Sequence, residues 1–108
     1  MRFTPTNIRD VVVIEPQTFS DDRGLFKEIW HQEKFRKAGI DVEFVQENYS
    51  RSKPGVLRGL HYQLNRPQGK LVHVIQGAVY DIAVDLRMPA GGRSDMGGVL
   101  AMARKRSR

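Results

Sequence analysis

Residues 55–63 read GVLRGLHYQ, and the fold that the sequence predicts is organised around this stretch. Its apolar residues favour an interior strand, yet it also contains Arg58, Gly59 and His61. A strand that serves only for packing alternates apolar and polar residues and avoids glycine. Histidine titrates near neutral pH, and a nearby lysine can stabilise a developing negative charge. His61 with Lys70 therefore suits proton abstraction next to a carbonyl group.

Segments on both sides of this stretch predict a domain built mainly from strands. Short apolar or alternating runs, separated by turn residues, predict strands over residues 11–14, 25–30, 42–49 and 56–64. Residues 70–86 predict a hairpin that turns at Gly77, and residues 19–24 predict a turn. Residues 33–38 predict the one helix, closed by Gly39. Closely spaced strands with turns between them indicate an all-β sandwich or barrel.

The second arm of the predicted hairpin, residues 78–86, has an unusual face. On a strand, Asp81 and Asp85 would lie on the same face as Val79 and Ala83. Two aspartates are unusual on a face that packs against a core, and ordinary on a face that lines a polar cavity. We therefore expect this arm to line a site.

Size and composition restrict the classes of protein that fit. A chain of 108 residues and 12.4 kDa corresponds to one domain with a small core. The absence of cysteine excludes disulfides, thiolate nucleophiles and zinc–thiolate sites. No two histidines have the H-x-H spacing of a metal site, and the sequence shows neither a signal peptide nor a membrane span. We expect a cytoplasmic protein without a metal or a membrane partner.

The net charge of +6 is unevenly distributed, because residues 88–108 contribute five basic side chains against Asp95 alone. The same residues contain three of the four methionines and no aromatic residue. This change predicts a boundary at Arg87–Met88, between a domain over residues 1–87 and a basic Gly- and Met-rich tail over residues 88–108. A frameshift would explain the change, and sequencing the gene across the boundary tests that hypothesis.

Five short motifs occur in order along residues 1–87. They are FxDxRGxFxE at residues 19–28, FVQxN at residues 44–48, VLRGLHYQ at residues 56–63, QGKLV at residues 68–72 and GxVxDxAVDLR at residues 77–87. Each motif is weak alone. Together and in register, they resemble the dTDP-4-dehydrorhamnose 3,5-epimerases.

The resemblance implies a cupin-type jelly-roll β-barrel, a homodimer, and chemistry without a metal or another cofactor. The reaction would invert C3 and C5 of dTDP-4-dehydro-6-deoxyglucose on the way to dTDP-rhamnose. The 4-keto group acidifies the protons on both neighbouring carbons, so a base can remove each proton in turn. An acid then protonates the enolate from the opposite face.

The resemblance also assigns roles to single residues. His61 matches the general base and Lys70 the residue beside the enolate oxygen, while Asp81 is the carboxylate expected near His61. The expected contacts to the nucleotide sugar are Arg23, Phe26, Glu28, Gln46, Asn48 and Arg58. Arginines suit a diphosphate, whereas glutamine and asparagine suit sugar hydroxyls and the thymine edge. Arg58 and His61 would point to opposite faces of a regular strand, so we expect a bulge at Gly59.

The family that the motifs resemble is substantially longer than this chain, and we expect an incomplete barrel of its N-terminal half plus core strands. The resemblance places the acid tyrosine and the aspartate that orients the base in the other half. Tyr49, Tyr62 and Tyr80 do not match that tyrosine, and none of them is assigned its role. We therefore expect proton exchange at most, and open strand edges that favour aggregation.

Two other functions stay open on the sequence. A non-catalytic module that binds a nucleotide sugar would carry the same motifs, with affinity for dTDP that depends on Arg23 and Arg58. A small nucleic-acid binder is indicated only by the basic ending ARKRSR, which has no interleaved aromatic residues. DNA retention that is lost when residues 88–108 are deleted would favour that second function, which we do not expect.

Overall fold

The computed structural model describes residues 1–87 and the backbone of residues 100–103. Its elements in chain order are β1 (Arg2–Pro5), β2 (Val12–Glu15), β3 (Thr18–Asp21), β4 (Gly24–Lys27), α1 (Gln32–Lys37), β5 (Lys70–His73) and β6 (Leu100–Ala103). One sheet has the strand order β1-β2-β6-β5, and β3 with β4 forms a second sheet. Within the described residues, the prediction of a strand-rich chain with one short helix is confirmed.

The hairpin of β1 and β2 begins the larger sheet. The two strands are antiparallel, and Pro5 at the end of β1 lies opposite Val12. Proline is tolerated there because β1 is the edge strand of the sheet. The turn between the strands is closed by Thr6, whose hydroxyl donates to the Val11 carbonyl at 2.9 Å. The prediction over residues 11–14 is confirmed with a shift of one residue, whereas β1 lacks an alternating pattern and was not predicted.

Parallel pairing completes the larger sheet. Strand β6 lies between β2 and β5 and runs parallel to both, with Ala101 opposite Val12 on one side and Leu71 on the other. The sheet formed by the described strands ends at β1 and β5, so it is open and does not close into a barrel. Apart from β6, residues 88–108 lie outside the described residues, and the boundary at Arg87–Met88 stays a prediction.

The smaller sheet is a tight hairpin. Strands β3 and β4 are antiparallel, and Phe19 lies opposite Phe26. The backbone N–H of Arg23 donates to Asp21 Oδ1 at 2.9 Å, an arrangement that shapes the turn between the strands. The predicted turn over residues 19–24 is therefore narrower than expected, and the strand predicted over residues 25–30 is observed at Gly24–Lys27.

Helix α1 begins where the sequence predicts, within one residue. His31 precedes the helix with an extended backbone, and its Nδ1 accepts the N–H of Lys34 at 3.5 Å. Glu33 in the first turn and three basic side chains in the rest of the helix suit the helix dipole. None of the helices in the described part of the chain has the length and apolar character needed to cross a bilayer.

The end of α1 explains how the helix joins the core. Gly39 has φ +85°, a conformation that glycine adopts without strain. The N–H of Gly39 donates to the Arg36 carbonyl at 3.0 Å, and the N–H of Ile40 donates to the Phe35 carbonyl at 2.9 Å. These two bonds form a Schellman motif, in which the residues corresponding to Phe35 and Ile40 usually make a hydrophobic contact. The prediction that Gly39 closes the helix is confirmed.

The core lies between α1 and the larger sheet. Ile14, Phe35 and Ile40 form a buried cluster, with Ile14 fully buried and Phe35 only 1% exposed. Met1, Phe3, Val12 and Leu71 pack against it. The rings of Phe3 and Phe35 meet edge to face with centroids 5.3 Å apart, a favourable geometry for an aromatic pair. The short helix is therefore held to the sheet through the buried Phe35 side chain, which packs against Ile14 and Phe3.

Three predicted strands are not observed. Residues 42–49, 56–64 and 78–86 have no strand assignment in the described structure, so these three predictions are wrong for this chain as described. Alternation of apolar and polar residues is a local property, but a strand also needs a hydrogen-bonded neighbour. Strand β5 pairs with β6 and not with residues 78–86, which removes the predicted hairpin.

One long-range contact ties residues 85–87 to the first hairpin. The Arg87 guanidinium donates to Asp85 Oδ2 at 2.7 Å, to Asp10 Oδ2 at 2.5 Å and to the Arg9 carbonyl at 2.7 Å. The hydrogen bond from the Arg87 side chain, followed by that from its backbone N–H, lowers the pKa of the Asp85 carboxyl to about 2. This cluster fixes the end of the otherwise irregular segment against the β1–β2 turn.

Candidate active site

The β3–β4 hairpin presents a concave surface with two of the predicted substrate contacts. A shallow concavity of about 400 Å³ is lined by residues 19–21 and 23–26, including Arg23 and Phe26. Phe26 is 68% exposed, so its ring is accessible to a ligand. A guanidinium beside an open aromatic face can bind a diphosphate and stack on a base or sugar ring.

Arg23 is held by its own turn. Its Nη2 donates to Asp21 Oδ2 at 2.5 Å, and its Nε donates to the same oxygen at 3.1 Å. The Arg23 side chain, followed by its backbone N–H, lowers the pKa of the Asp21 carboxyl. The Arg23 side chain is nevertheless 90% exposed. Its guanidinium is therefore positioned at the surface and remains accessible to an anion.

Glu28 lies just after the hairpin and is paired with the helix. Lys34 Nζ donates to Glu28 Oε1, and this hydrogen bond lowers the pKa of the Glu28 carboxyl. The interaction joins the residue that follows β4 to the first turn of α1. In this structure the predicted sugar contact at Glu28 is an ion-paired carboxylate that connects two elements.

Gln46, Asn48 and Arg58 lie in segments without regular secondary structure. Gln46 Nε2 donates to Asn48 Oδ1 at 3.1 Å, so these two predicted contacts touch each other. Arg58 Nε donates to Ser52 Oγ at 2.8 Å, and its Nη2 donates to the Arg51 carbonyl at 3.4 Å. The side chains are exposed and polar, as expected for groups that contact a soluble ligand.

His61 follows Gly59 in a backbone that is not a strand. Gly59 has φ +121°, and a Cβ built on it would lie 3.9 Å from His61 Nδ1. A bulge is an irregularity within a paired strand. Because residues 56–64 form no ladder in the described structure, the predicted bulge is wrong, and the positive φ of Gly59 redirects the chain instead.

Lys70 and Asp81 are exposed, and neither lines the hairpin concavity. Lys70 is the first residue of β5, whereas Asp81 lies in the irregular segment after Gly77. Among the described residues, no hydrogen bond or ion pair links His61, Lys70 and Asp81. The predicted grouping of these three residues stays a prediction. No three His, Asp or Glu side chains in the described ranges could hold a metal ion together.

Replacing Gly59 with alanine should shift the His61 ring resonances while it changes Tm little. A φ of +121° is strained for an L-residue, so the backbone should shift to relieve a strain of about 1–3 kcal/mol. Residues 56–64 are exposed, so the chain can relax there without disturbing the core. The measurement is the chemical shift of the His61 ring protons, followed together with Tm.

Gly55→Ala is the matched control, because Gly55 also has positive φ, at +79°, and a Cβ built on it would have no atom of another residue within 4 Å. We expect the control to leave the His61 resonances in place. Equal shifts of those resonances in both variants would contradict a direct coupling between Gly59 and His61.

Comparison with known proteins identifies the family. The family model described as dTDP-4-dehydrorhamnose 3,5-epimerase matches residues 5–103. That range includes the hairpin concavity, His61, Lys70 and Asp81. The chain belongs to the dTDP-4-dehydrorhamnose 3,5-epimerase family. The resemblance drawn from the five motifs is thereby confirmed.

Relatives that carry this name are similar over most of the chain. The protein of Pseudomonas aeruginosa is 54% identical over 88 residues, which are 81% of this chain and 49% of the relative. The protein of Methanothermobacter thermautotrophicus is 46% identical over 98 residues, 91% of this chain and 53% of the relative. The Escherichia coli protein is 46% identical over 105 residues, 95% of this chain and 57% of the relative. The chain thus spans about half the length of the epimerases it matches.

Sequence reasoning missed the residues that hold this epimerase-family chain together at a distance. Arg87 contacts Asp10 across 77 positions, and nothing in the local pattern of either residue indicates the pair. Asp10 has φ +70°, a left-handed conformation that the sequence around it does not indicate. The pairing of Glu28 with Lys34 was also missed, although a carboxylate just before a helix with basic residues is a usable signal.

Proposed function

We propose that the chain takes part in the epimerisation of dTDP-4-dehydro-6-deoxyglucose at C3 and C5, which yields dTDP-4-dehydro-L-rhamnose. The observation that carries this proposal is the family match over residues 5–103, together with relatives that bear the name of that activity. The match includes a histidine and a lysine of the types that enolate chemistry needs. The chemical step to which the two residues are suited is removal of a proton next to the carbonyl group.

In the proposed step, the imidazole of His61 removes a proton from the carbon beside the C4 carbonyl. The C–H bond breaks, its electron pair forms a double bond to C4, and the carbonyl oxygen takes up the negative charge. The ammonium of Lys70 stabilises that oxygen. Return of a proton from the opposite face restores the ketone and inverts the carbon. The same sequence at the second carbon completes the epimerisation.

The return of the proton needs an acid that we do not assign to this chain. Tyr49, Tyr62 and Tyr80 do not match the family's acid tyrosine by motif. We propose that the 108 residues supply the base side of the site. Water can protonate the enolate in place of a positioned acid, but without the rate and facial selectivity that the acid provides.

Binding of the nucleotide sugar is proposed to begin at the exposed arginines. The pair of Arg23 with Asp21 lies at the surface, where such pairs contribute little to stability. A diphosphate carries more charge than one carboxylate and can accept two hydrogen bonds from one guanidinium. The diphosphate can therefore replace Asp21 as the partner of Arg23. Arg58 is the second proposed contact, and Phe26 offers an exposed ring for stacking.

The finer features of the fold belong to the same proposal. We propose that the complete site is formed in a cupin-type jelly roll and works as a homodimer without a metal or another cofactor. The open sheet and the exposed polar residues described above are compatible with one part of such a barrel. Closure of the barrel would bring His61, Lys70 and Asp81 onto one inner face.

The test of this proposal is to incubate the chain with dTDP-4-dehydro-6-deoxyglucose and to follow the configuration of C3 and C5 by proton NMR. In deuterated buffer we expect exchange of the protons at C3 and C5 with little or no inverted sugar, because the base is present and the acid is not assigned to this chain. A substrate that binds and stays unchanged would contradict the catalytic proposal and favour a binding module.

A non-catalytic module that binds a nucleotide sugar is the second candidate. It is favoured by the absence, among the described residues, of any hydrogen bond that orients His61, because an unoriented histidine is a poorer base. Whether the chain is an epimerase or a binding module, Arg23→Ala should weaken dTDP affinity about tenfold through the loss of a charged hydrogen-bond donor. Isothermal titration with dTDP measures the effect.

Arg2→Ala is the control for Arg23→Ala, because Arg2 is also an exposed arginine in a surface ion pair, with Glu15. Arg2 lies on β1 and outside the hairpin concavity. We expect unchanged affinity in this variant. Equal weakening by both substitutions would indicate a non-specific charge effect and would count against a diphosphate site at Arg23.

A further inference from the structure

A tight turn reverses the chain directly after Lys53. The N–H of Val56 donates to the Lys53 carbonyl at 3.4 Å, and Pro54 and Gly55 occupy the two positions between them. Gly55 has φ +79°. A proline followed by a glycine of positive φ is the residue pattern of a type II turn. The reversal brings Arg58 back beside the residues that precede the turn.

Arg58 is held there by one edge of its guanidinium. Its Nε donates to Ser52 Oγ at 2.8 Å, and its Nη2 donates to the Arg51 carbonyl at 3.4 Å. In the part of the chain that the structure describes, Nη1 of Arg58 makes no hydrogen bond. A guanidinium binds a phosphate group through two parallel N–H donors. Because the contacts with Ser52 and Arg51 use one edge, the edge that contains Nη1 stays available to a diphosphate.

The two arginines proposed to bind the diphosphate differ in the charge of the group that holds them. Arg23 also donates from Nε and Nη2, but its partner is the Asp21 carboxylate, which offsets its positive charge. The oxygens that hold Arg58 are a hydroxyl and a carbonyl, and both are neutral. Residues 48–80 contain five lysines and arginines and no aspartate or glutamate. Arg58 therefore keeps its full charge for an anionic ligand.

We propose that Ser52 is a positioning residue for the diphosphate contact. Its hydroxyl fixes the orientation of Arg58 and, being uncharged, does not compete with the ligand for the guanidinium. The inference rests on the proposed binding of a nucleotide sugar, and it adds to that site a residue that lies outside all five motifs. Ser52 and Arg58 are both exposed, so loss of their hydrogen bond should affect binding while it changes stability little.

Ser52→Ala removes the acceptor of the Arg58 Nε–H without changing the charge of the chain. We expect dTDP affinity to weaken about fivefold, the effect of one neutral hydrogen bond. The Nε–H resonance of Arg58 should shift, and Tm should stay the same. Ser52→Thr keeps a hydroxyl at this position and should restore both the affinity and the resonance. Isothermal titration and NMR measure the two effects.

Ser52→Asp tests the importance of a neutral partner. A carboxylate at this position would pair with Arg58 as Asp21 pairs with Arg23, and it would compete with the diphosphate. We expect dTDP affinity to weaken about tenfold, with a larger loss at low salt than at high salt.

Ser50→Asp is the matched control for Ser52→Asp. Ser50 is exposed and lies two positions before Ser52, and no hydrogen bond joins it to Arg58 in the described structure. The control makes the same change in charge, and its dTDP affinity should change less than about twofold. Equal weakening by the two substitutions would show a general effect of charge and would overturn the role of Ser52.

A double-mutant cycle with Arg58→Ala separates this inference from the proposed function. Arg58→Ala should weaken dTDP affinity about tenfold, and Ser52→Ala should then cause no further loss. Equal weakening by Ser52→Ala with and without Arg58 would overturn the positioning role and leave the diphosphate contact in place. Unchanged dTDP affinity in Arg58→Ala would overturn both the contact and the role of Ser52.

Discussion

His61→Ala should reduce the rate of proton exchange at C3 and C5 of dTDP-4-dehydro-6-deoxyglucose about a thousandfold, the middle of the range for general-base catalysis. Alanine cannot accept a proton, and His61 is the histidine that lies in the VLRGLHYQ motif. Binding of dTDP should persist, because the proposed diphosphate contacts are elsewhere. The measurement compares exchange rates by NMR with dTDP affinity by titration.

A histidine outside the site provides the control. His31 caps α1, and asparagine is also a good N-cap residue, so His31→Asn removes an imidazole while it keeps the cap. We expect an unchanged exchange rate in this variant. If His61→Ala exchanged protons as fast as the unchanged chain, the assignment of the base would be wrong.

Phe35→Ala should lower the free energy of unfolding by about 3–5 kcal/mol, the range for a buried phenylalanine. Phe35 is 1% exposed and is in the cluster with Ile14 and Ile40. It also contacts the rings of Phe3 and Trp30. Since domains of this size are marginally stable, this loss should leave much of the chain unfolded at room temperature. Urea denaturation followed by circular dichroism measures it.

Phe19→Ala deletes the same side chain from an exposed position and is the control. Phe19 is 54% exposed and lies opposite Phe26 in the β3–β4 hairpin. Loss of that cross-strand pair should cost under about 1 kcal/mol. Equal destabilisation by both substitutions would contradict the claim that burial of Phe35 of α1 stabilises the core.

The parts of the fold that the sequence predicts well are those with local causes. The helix follows from the run at residues 33–38 and the glycine that closes it, whereas the cap formed by His31 is not predicted from the sequence. Strand β2 follows from a β-branched run before Glu15 and Pro16, and the hairpin turn follows from Asp21 and its neighbours. Each of these signals lies in the residues that adopt the structure.

The predicted strands that the structure lacks would need pairing with segments far away in the chain. Residues 56–64 and 78–86 show the pattern of strands, but a pattern does not supply the neighbour that a ladder requires. Strand β6, which pairs with both β2 and β5, lies in a stretch whose composition indicates a tail. Pairing over such distances depends on which segments meet, and the alternation of residues does not encode that.

The candidate site also has a part that local sequence predicts and a part that depends on distant segments. The motifs identify Arg23 and Phe26, and the structure places both on one concave surface of a local hairpin. They also identify His61, Lys70 and Asp81, whose grouping depends on segments far apart in the chain. That grouping is the part of the account that sequence patterns cannot determine, because it requires the strands to be paired.

The most direct test of the central claim is deuterium wash-in at C3 and C5 of dTDP-4-dehydro-6-deoxyglucose in deuterated buffer. It records removal of the proton whether or not an acid later inverts the carbon. We predict incorporation at both carbons by the folded 108-residue chain. No incorporation at either carbon, from protein shown to be folded and to bind dTDP, would contradict the claim that this chain carries the base of the epimerase site.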